Sequence, residues 1–288
     1  MKAVVLAGGK GSRLAPYTKV LPKPLMPIGE DMPILEVLLR QLKRSGIEDV
    51  TLAVGYSAGL LYAFFQDGRR LGLRIGYSFE DEPLGTAGPL SLLNGMDDTF
   101  LVTNGDVLTT LHFPALVEYH RSSHAIATIA SYVKKVRIDL GVIRANLSGE
   151  VVGYIEKPTY DFLVSMGIYV FEPRVISYIG YRERLDFPDL VLRLIESGER
   201  VLSYPYEGFW MDLGRVEDYE QAIRDFEGLK AELLGDQVSE TALSVDLSAP
   251  ATAPSAWGVY PGPWDGPFGS TGVGRSFHQE SKRTDEGS

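Results

Sequence analysis

Residues 1–24 have the sequence MKAVVLAGGKGSRLAPYTKVLPKP, and this stretch decides the fold. The apolar run from Ala3 to Leu6 predicts a buried strand, because short β-branched runs that end at glycine are typical of parallel sheets. Glycines follow at positions 8, 9 and 11. Because glycine has no side chain, the backbone N–H groups of such a loop can approach a phosphate or a base closely. This first turn is therefore predicted to contact an anionic or nucleotide ligand.

The loop differs from two common phosphate-binding motifs. No Gly-Lys-Ser/Thr triplet stands at the spacing of a Walker A loop, and Leu14 occupies the position of the third glycine of the dinucleotide fingerprint. Two cations follow the glycines instead. Arg13 has a planar guanidinium that can bind phosphate through two bonds, and Lys23 adds a second positive charge. We predict that Arg13 and Lys23 are catalytic residues that neutralise phosphate charge.

The pattern up to about residue 230 alternates short β-branched runs with amphipathic stretches. This alternation predicts an α/β fold with a Rossmann-like mixed sheet flanked by helices. The predicted strands are 3–6, 50–54, 73–79, 100–103, 126–133, 140–145, 151–155 and 165–171. The predicted helices are 33–45, 60–65, 88–93, 187–197 and 216–234. We assign residues 1–234 to one folded domain and 235–288, which are rich in Gly, Pro and Ser, to a disordered low-complexity tail.

Composition excludes several classes of function. The 288 residues include 28 Lys and Arg against 38 Asp and Glu, which gives a formal charge of -10. This balance argues against nucleic-acid and anionic-membrane partners, since both require a basic face. The absence of cysteine excludes disulfides and thiolate catalysis. The N-terminal pattern is not typical of a signal peptide and no apolar stretch of about 20 residues occurs, so we expect a cytoplasmic protein.

The sequence of residues 6–24 resembles the signature of the sugar-nucleotide pyrophosphorylases. These nucleotidyltransferases join a sugar 1-phosphate to a nucleoside triphosphate, and their signature is Leu-x-Gly-Gly-x-Gly-x-Arg-Leu-x-Pro-x-Thr followed by Pro-Lys-Pro. The resemblance continues to about residue 225 in the same order as in the family. Its further segments are EPLGTAG at 82–88, NGD at 104–106, EKP at 156–158 and WMDLG at 210–214.

Mg²⁺ is the cofactor that the carboxylates suggest. Asp106 and Asp212, each at a predicted strand end or turn, can hold one Mg²⁺ between them and leave its other positions to water and phosphate oxygens. The resemblance implies the same two residues, together with a nucleoside triphosphate and a sugar 1-phosphate as substrates. It implies nucleotide contacts from Leu6, Ala7, Gly8, Gly9, Gly11, Ser12, Gly85 and Thr86. For the sugar phosphate it implies Asn104, Gly141, Glu156 and Lys157.

The loop at 82–90 is most similar to the subgroup that makes GDP-mannose and related sugars. We therefore expect GTP, with a sugar 1-phosphate of the mannose or heptose type. Longer members of that subgroup carry a β-helix of hexapeptide repeats, and this sequence has no such repeat. A thymidylyltransferase that uses dTTP and glucose 1-phosphate is the first alternative. A catalytically silent regulatory homologue is the second, although the expected cations and carboxylates are all present. Assembly into a homo-oligomer stays open.

Overall fold

The computed structural model describes residues 1–29, 32–55 and 58–235. Within these residues the chain forms two compact units. The first comprises Met1–Val136 and resumes at Tyr160, and the second comprises Arg137–Thr159. Apart from Gly235, the tail assigned to 235–288 lies outside the described residues. None of the helices in the described ranges is long and apolar enough to cross a membrane.

The elements are numbered in chain order. The strands are β1 (Lys2–Leu6), β2 (Pro27–Ile28), β3 (Met32–Pro33), β4 (Asp49–Val54), β5 (Arg74–Phe79), β6 (Phe100–Asn104), β7 (Val107–Thr109), β8 (Ala127–Arg137), β9 (Val142–Ala145), β10 (Val151–Ile155), β11 (Thr159–Phe171), β12 (Val201–Tyr206) and β13 (Trp210–Asp212). The α-helices are α1 (Ile34–Arg44), α2 (Ala58–Phe65), α3 (Phe113–Ser123), α4 (Phe187–Glu196) and α5 (Val216–Leu234). Short 3₁₀ segments occupy Ser12–Leu14, Tyr17–Lys19, Lys23–Leu25, Arg69–Leu71, Gly88–Leu92 and Pro173–Tyr178.

The largest sheet has seven strands in the order β12-β8-β11-β6-β1-β4-β5. Strand β1 lies in its interior and runs parallel to both neighbours, with Leu6 opposite Ala53 of β4 and Asn104 of β6. Strand β11 runs antiparallel to β6. The predicted mixed α/β sheet is therefore confirmed, and the carboxyl ends of β1, β4 and β6 meet at one edge.

The core covers both faces of this sheet because successive side chains of a buried strand point in opposite directions. Val5 belongs to a cluster with the apolar faces of α1 and α3, whereas Val4 belongs to a second cluster with α4. A third cluster joins α5 to α1 and to Leu14 in the loop after β1. The fully buried side chain of Leu14 therefore anchors the loop to α1 and α5.

The structure corrects one local prediction and contains elements that were not predicted, two of which are α3 and β12. Residues 88–92 form a 3₁₀ segment instead of an α-helix, because the backbone N–H groups of Ala87 and Gly88 both donate to the carbonyl of Leu185. Helix α3 was not predicted, although its apolar residues follow helical spacing and Pro114 stands in its first turn. Strand β12 was also missed, since it includes Pro205, which is tolerated there because β12 is at the edge of the sheet.

The second unit contains an antiparallel hairpin of β9 and β10. Ile143 lies opposite Tyr154, and Val142 lies opposite Ile155. Gly141 precedes the hairpin, and a Cβ atom on it would overlap the phenol of Tyr154. A side chain at this position would therefore require the exposed ring of Tyr154 to move.

Candidate active site

The glycine loop leaves the carboxyl end of β1 and is fixed at both ends. The Ala7 amide donates to the carbonyl of Ala53 at 2.8 Å. At the far end, the Thr18 hydroxyl donates to the Gly11 carbonyl at 2.8 Å. A Cβ atom on Gly9 would meet no other described residue within 4 Å. The middle of the loop therefore faces open space, as a loop that receives a ligand must.

Asp106 and Asp212 are brought together by the pairing of β7 with β13. Asp212 lies opposite Val107 in this antiparallel register, so it is next to the residue that precedes β7. The Leu213 amide donates to the Asp106 carbonyl at 3.3 Å. The Gly105 amide donates to the carbonyl of Leu6 at 2.9 Å, which joins this pair to the glycine loop. Two segments 106 residues apart in sequence thus meet beside β1.

Lys23 lies between the two carboxylates. Its side chain is buried, with the residue only 8% exposed, and its ammonium group forms an ion pair with Oδ2 of Asp106. Oδ1 of Asp212 is 3.9 Å from the same ammonium nitrogen. The other carboxylate oxygen of Asp106, Oδ1, is buried and has no hydrogen-bond partner among the described residues. A buried carboxylate oxygen without a partner is costly, and it indicates a position where a further cation or donor binds.

Arg13 approaches the same group from the glycine loop. A Cβ atom placed on Gly214 would lie 3.8 Å from Nη1 of Arg13 and 3.1 Å from Oδ2 of Asp212. Arg13 and Asp212 therefore both border Gly214. Burial, and after it the charge of Asp106, raises the pKa of Asp212, whereas the charges of Lys23 and Arg13 lower it. The two cations and the two carboxylates therefore form one coupled electrostatic group at the edge of the sheet.

The number of protein ligands available for a metal ion is small. In the chain as described, no cluster of three or more His, Cys, Asp or Glu side chains could enclose a metal ion. A cation held by Asp106 and Asp212 would therefore take its remaining ligands from water or from a substrate. Mg²⁺ commonly binds proteins in this way, through one or two carboxylates plus phosphate oxygens.

The loop at 84–88 is held against the segment before α4. The amide and the hydroxyl of Thr86 donate to Oδ1 of Asp186 at 2.9 and 3.2 Å. Gly85 has a φ of +79°, and a Cβ atom on it would lie 2.6 Å from the carbonyl oxygen of Leu185. These contacts fix the loop to the segment before α4. Since the amides of residues 86–88 are all used internally, Thr86 has no free amide to offer a base.

Glu80 is a further candidate that the sequence did not single out. It follows β5 directly, and its Oε2 accepts a hydrogen bond from the Leu84 amide at 3.0 Å. Its Oε1 lies 3.0 Å from the place where a Cβ atom of Gly8 would stand. Burial raises the pKa of this carboxyl. Its position after the carboxyl end of a parallel strand is the signal that would have identified it, since ligands bind at those ends.

The residues predicted for the sugar phosphate lie in both units. Asn104 ends β6, and a Cβ atom on Gly167 of β11 would lie 2.5 Å from its Nδ2 atom. The other three, Gly141, Glu156 and Lys157, belong to the second unit. There the Tyr154 hydroxyl donates to Oε2 of Glu156 at 3.1 Å. Lys157 has a φ of 45°, which is uncommon for a residue with a side chain and is found at turns and functional sites.

These features define a class of protein: an α/β protein with a glycine-rich loop, two cations and a carboxylate pair at the carboxyl ends of its central strands. The chain belongs to the nucleotidyl transferase family, whose model matches residues 2–228. The family resemblance of the sequence is thereby confirmed.

Several named proteins are similar to this chain. A UTP–glucose-1-phosphate uridylyltransferase from Synechocystis is 36% identical over 244 residues, which cover 78% of this chain and 63% of the relative. A mannose-1-phosphate guanylyltransferase from Mycobacterium tuberculosis is 36% identical over 237 residues, 77% of this chain and 64% of the relative. The chain thus spans less than two thirds of the length of these relatives.

Solved structures share the fold. A putative glucose-1-phosphate thymidylyltransferase from Bacillus anthracis superposes with a TM-score of 0.64 at 25% identity, covering 83% of this chain and 97% of that one. HddC from Yersinia pseudotuberculosis, solved in complex with GMP-PN, superposes with a TM-score of 0.60 at 22% identity, covering 78% and 99%. The latter similarity concerns the fold alone.

Proposed function

We propose that the protein is a sugar-1-phosphate nucleotidyltransferase that releases pyrophosphate. The observation that carries this proposal is the pair Asp106 and Asp212 with Lys23 between them, beside the glycine loop. In the reaction, an oxygen of the sugar phosphate attacks the α-phosphorus, the bond from that phosphorus to the bridging oxygen breaks, and pyrophosphate leaves. Both reactants are anionic, so the protein must position them and neutralise their charge. Arg13 and Lys23 supply that positive charge.

A divalent cation fits the carboxylate pair. Oδ1 of Asp106 is buried without a partner in the described residues, and Asp212 stands next to it, so the donor set consists of hard oxygen ligands that suit Mg²⁺. When bound, Mg²⁺ would screen the negative charge of the phosphate groups. We propose Asp106 and Asp212 as its ligands.

We propose GTP as the nucleotide. With the amides of residues 86–88 bonded internally, Glu80 is the polar side chain that faces Gly8. A carboxylate accepts hydrogen bonds and donates none. Guanine presents two neighbouring donors, N1–H and the N2 amino group, whereas uracil and thymine present one N–H between two carbonyl acceptors. Glu80 therefore favours guanine over the pyrimidine bases of UTP and dTTP.

The sugar residues are proposed on the family resemblance. We assign Asn104, Gly141, Glu156 and Lys157 to a sugar 1-phosphate of the mannose or heptose type. The unusual backbone of Lys157 supports a functional constraint at that position. Uridylyl-, guanylyl- and thymidylyltransferases are all among the proteins that this chain resembles, so the assay must compare their substrates.

The test is pyrophosphate release with Mg²⁺. GTP, UTP and dTTP are each combined with mannose, heptose and glucose 1-phosphates, and Asp212→Asn is compared with Asp97→Asn, which changes an exposed carboxylate. We expect release that needs both substrates, a highest kcat/KM with GTP, and activity that Asp212→Asn loses and Asp97→Asn keeps. A higher kcat/KM with dTTP or UTP would refute the guanine assignment. If no combination releases pyrophosphate although the protein still binds nucleotide, the proposed reaction is refuted and a catalytically silent homologue is favoured.

A further inference from the structure

Lys23 has a geometry that the role of a phosphate contact does not explain. A lysine kept only for an anionic substrate would extend toward the open loop. Instead its side chain is buried and its ammonium group is paired with Asp106, within 3.9 Å of Asp212. Lys23 begins a 3₁₀ segment held by hydrogen bonds from Leu25 to Pro22 and from Met26 to Lys23, so its backbone is fixed close to the carboxylates. The ammonium group offsets one of the two negative charges of the carboxylate pair.

An ammonium group and a divalent cation cannot both stay in this position. A Mg²⁺ ion requires its carboxylate oxygens at about 2.1 Å, and its remaining ligands must carry oxygen lone pairs. An ammonium group has three donors and no lone pair, and it repels a divalent ion at contact distance. Oδ2 of Asp106 therefore serves one cation or the other. A metal ion that binds through the unpartnered Oδ1 and also through Asp212 would lie between the two carboxylates, where the ammonium group stands, so the two cations compete for the same space.

We propose that Lys23 is an internal cation that stands in for the metal ion in the metal-free protein, and that metal binding displaces it from Asp106. This inference rests on the proposed function, because it takes Asp106 and Asp212 as the metal ligands. It adds an order of events that the family's activity does not require: the displaced ammonium group becomes available to an anionic substrate only after the metal has bound. Metal ion and nucleotide then bind with positive coupling. The bound metal ion releases the ammonium group of Lys23, and the anionic nucleotide pairs with that positive charge.

The first experiment measures metal binding in the absence of substrates. Mn²⁺ binding is followed by electron paramagnetic resonance at pH 8 for the unmodified protein, Lys23→Met, Lys23→Arg and Lys10→Met. Methionine keeps the length of the side chain without its charge, and Lys10 is an exposed lysine of the same loop. We expect Lys23→Met to bind Mn²⁺ about tenfold or more tightly than the unmodified protein, within the ordinary range of coupling between sites. Lys23→Arg and Lys10→Met should show no such gain. Equal or weaker binding by a folded Lys23→Met would overturn the proposal.

A second measurement follows Lys23 in the unmodified protein and uses a variant only to assign the signal. The ¹⁵Nζ resonance of Lys23, assigned by its loss in Lys23→Arg, is followed while Mg²⁺ is added to the protein without nucleotide. A buried ion pair protects the ammonium protons from exchange with water, so the signal should be visible at first and should disappear as Mg²⁺ binds. A Lys23 signal that persists at saturating Mg²⁺ would contradict the displacement.

The outcome separates the two proposals. If pyrophosphate is released and the unmodified protein and Lys23→Met bind Mn²⁺ equally, the proposed reaction is supported and the displacement of Lys23 is refuted. If Lys23→Met binds Mn²⁺ more tightly but no substrate pair gives pyrophosphate release, the displacement of Lys23 is supported and the proposed reaction is refuted.

Discussion

Replacing Asp106 by asparagine tests the link between the carboxylate pair and both stability and activity. The change removes the charge that Oδ2 presents to the ammonium group of Lys23 while it keeps the size of the side chain. Removal of one partner from a buried ion pair typically costs about 3–5 kcal/mol. Two features reduce this cost here: Asp106 is 24% exposed, and Asp212 remains 3.9 Å from the ammonium nitrogen as a second partner. Loss of the repulsion between the two carboxylates offsets a further part.

We therefore expect a loss of about 1–3 kcal/mol in the free energy of unfolding, less than the full cost of a broken buried pair. For a chain of this size, that loss lowers Tm by about 3–10 °C. Pyrophosphate release should fall at least about a hundredfold, as expected when one electrostatic contributor to the transition state is removed. Urea unfolding and calorimetry measure the first effect, and the coupled pyrophosphate assay measures the second.

The matched control is Asp97→Asn, at an exposed position, which should change neither quantity. If Asp106→Asn has the Tm and the rate of the unmodified protein, neither the ion pair with Lys23 nor the metal site is correctly assigned. If only the rate is retained, Asp106 has a structural role alone and the proposed metal site is wrong.

Three further predictions concern other parts of the fold. Gly85→Ala should lower the free energy of unfolding by about 2 kcal/mol or more, because its φ is positive and its Cβ would approach the Leu185 carbonyl. Gly149→Ala, whose φ is also positive but whose Cβ would meet no described atom within 4 Å, should cost less in the same urea titration; equal costs would refute the steric argument. Burial lowers the pKa of His120, so the unfolded state binds the proton more readily and stability should decline as the pH falls below about 6.5. Urea unfolding between pH 7.5 and 5 should show that decline, and His120→Gln should flatten it; an unchanged slope would exclude this histidine as its source. Glu80→Gln should lower kcat/KM for GTP relative to UTP, since an amide can donate to a pyrimidine carbonyl, and an unchanged ratio would exclude Glu80 from base selection.

The sheet was largely predictable because its strands carry their own signal. Strands β1, β4, β5 and β6 were predicted to within a residue or two, since their apolar runs end at glycine or polar residues and those of β1, β4 and β6 are mostly buried. Helix α5 was predicted with its observed bounds. The 3₁₀ segment at 88–92 was not, because its conformation depends on bonds to Leu185, which is distant in sequence.

The sequence by itself determined the glycine loop, the cations Arg13 and Lys23, the carboxylates Asp106 and Asp212, and through them the family. These are local motifs, and their residue types and spacing carry the chemistry. Only the tertiary structure decided that Lys23 is buried against Asp106, that the amide of Thr86 is occupied by Asp186, and that Glu80 faces Gly8. Each of these contacts joins segments that are far apart in the chain. The spacing of such segments in the sequence does not determine the distance between them in the fold. That distance is determined by the register of the strands and by the packing of the connections.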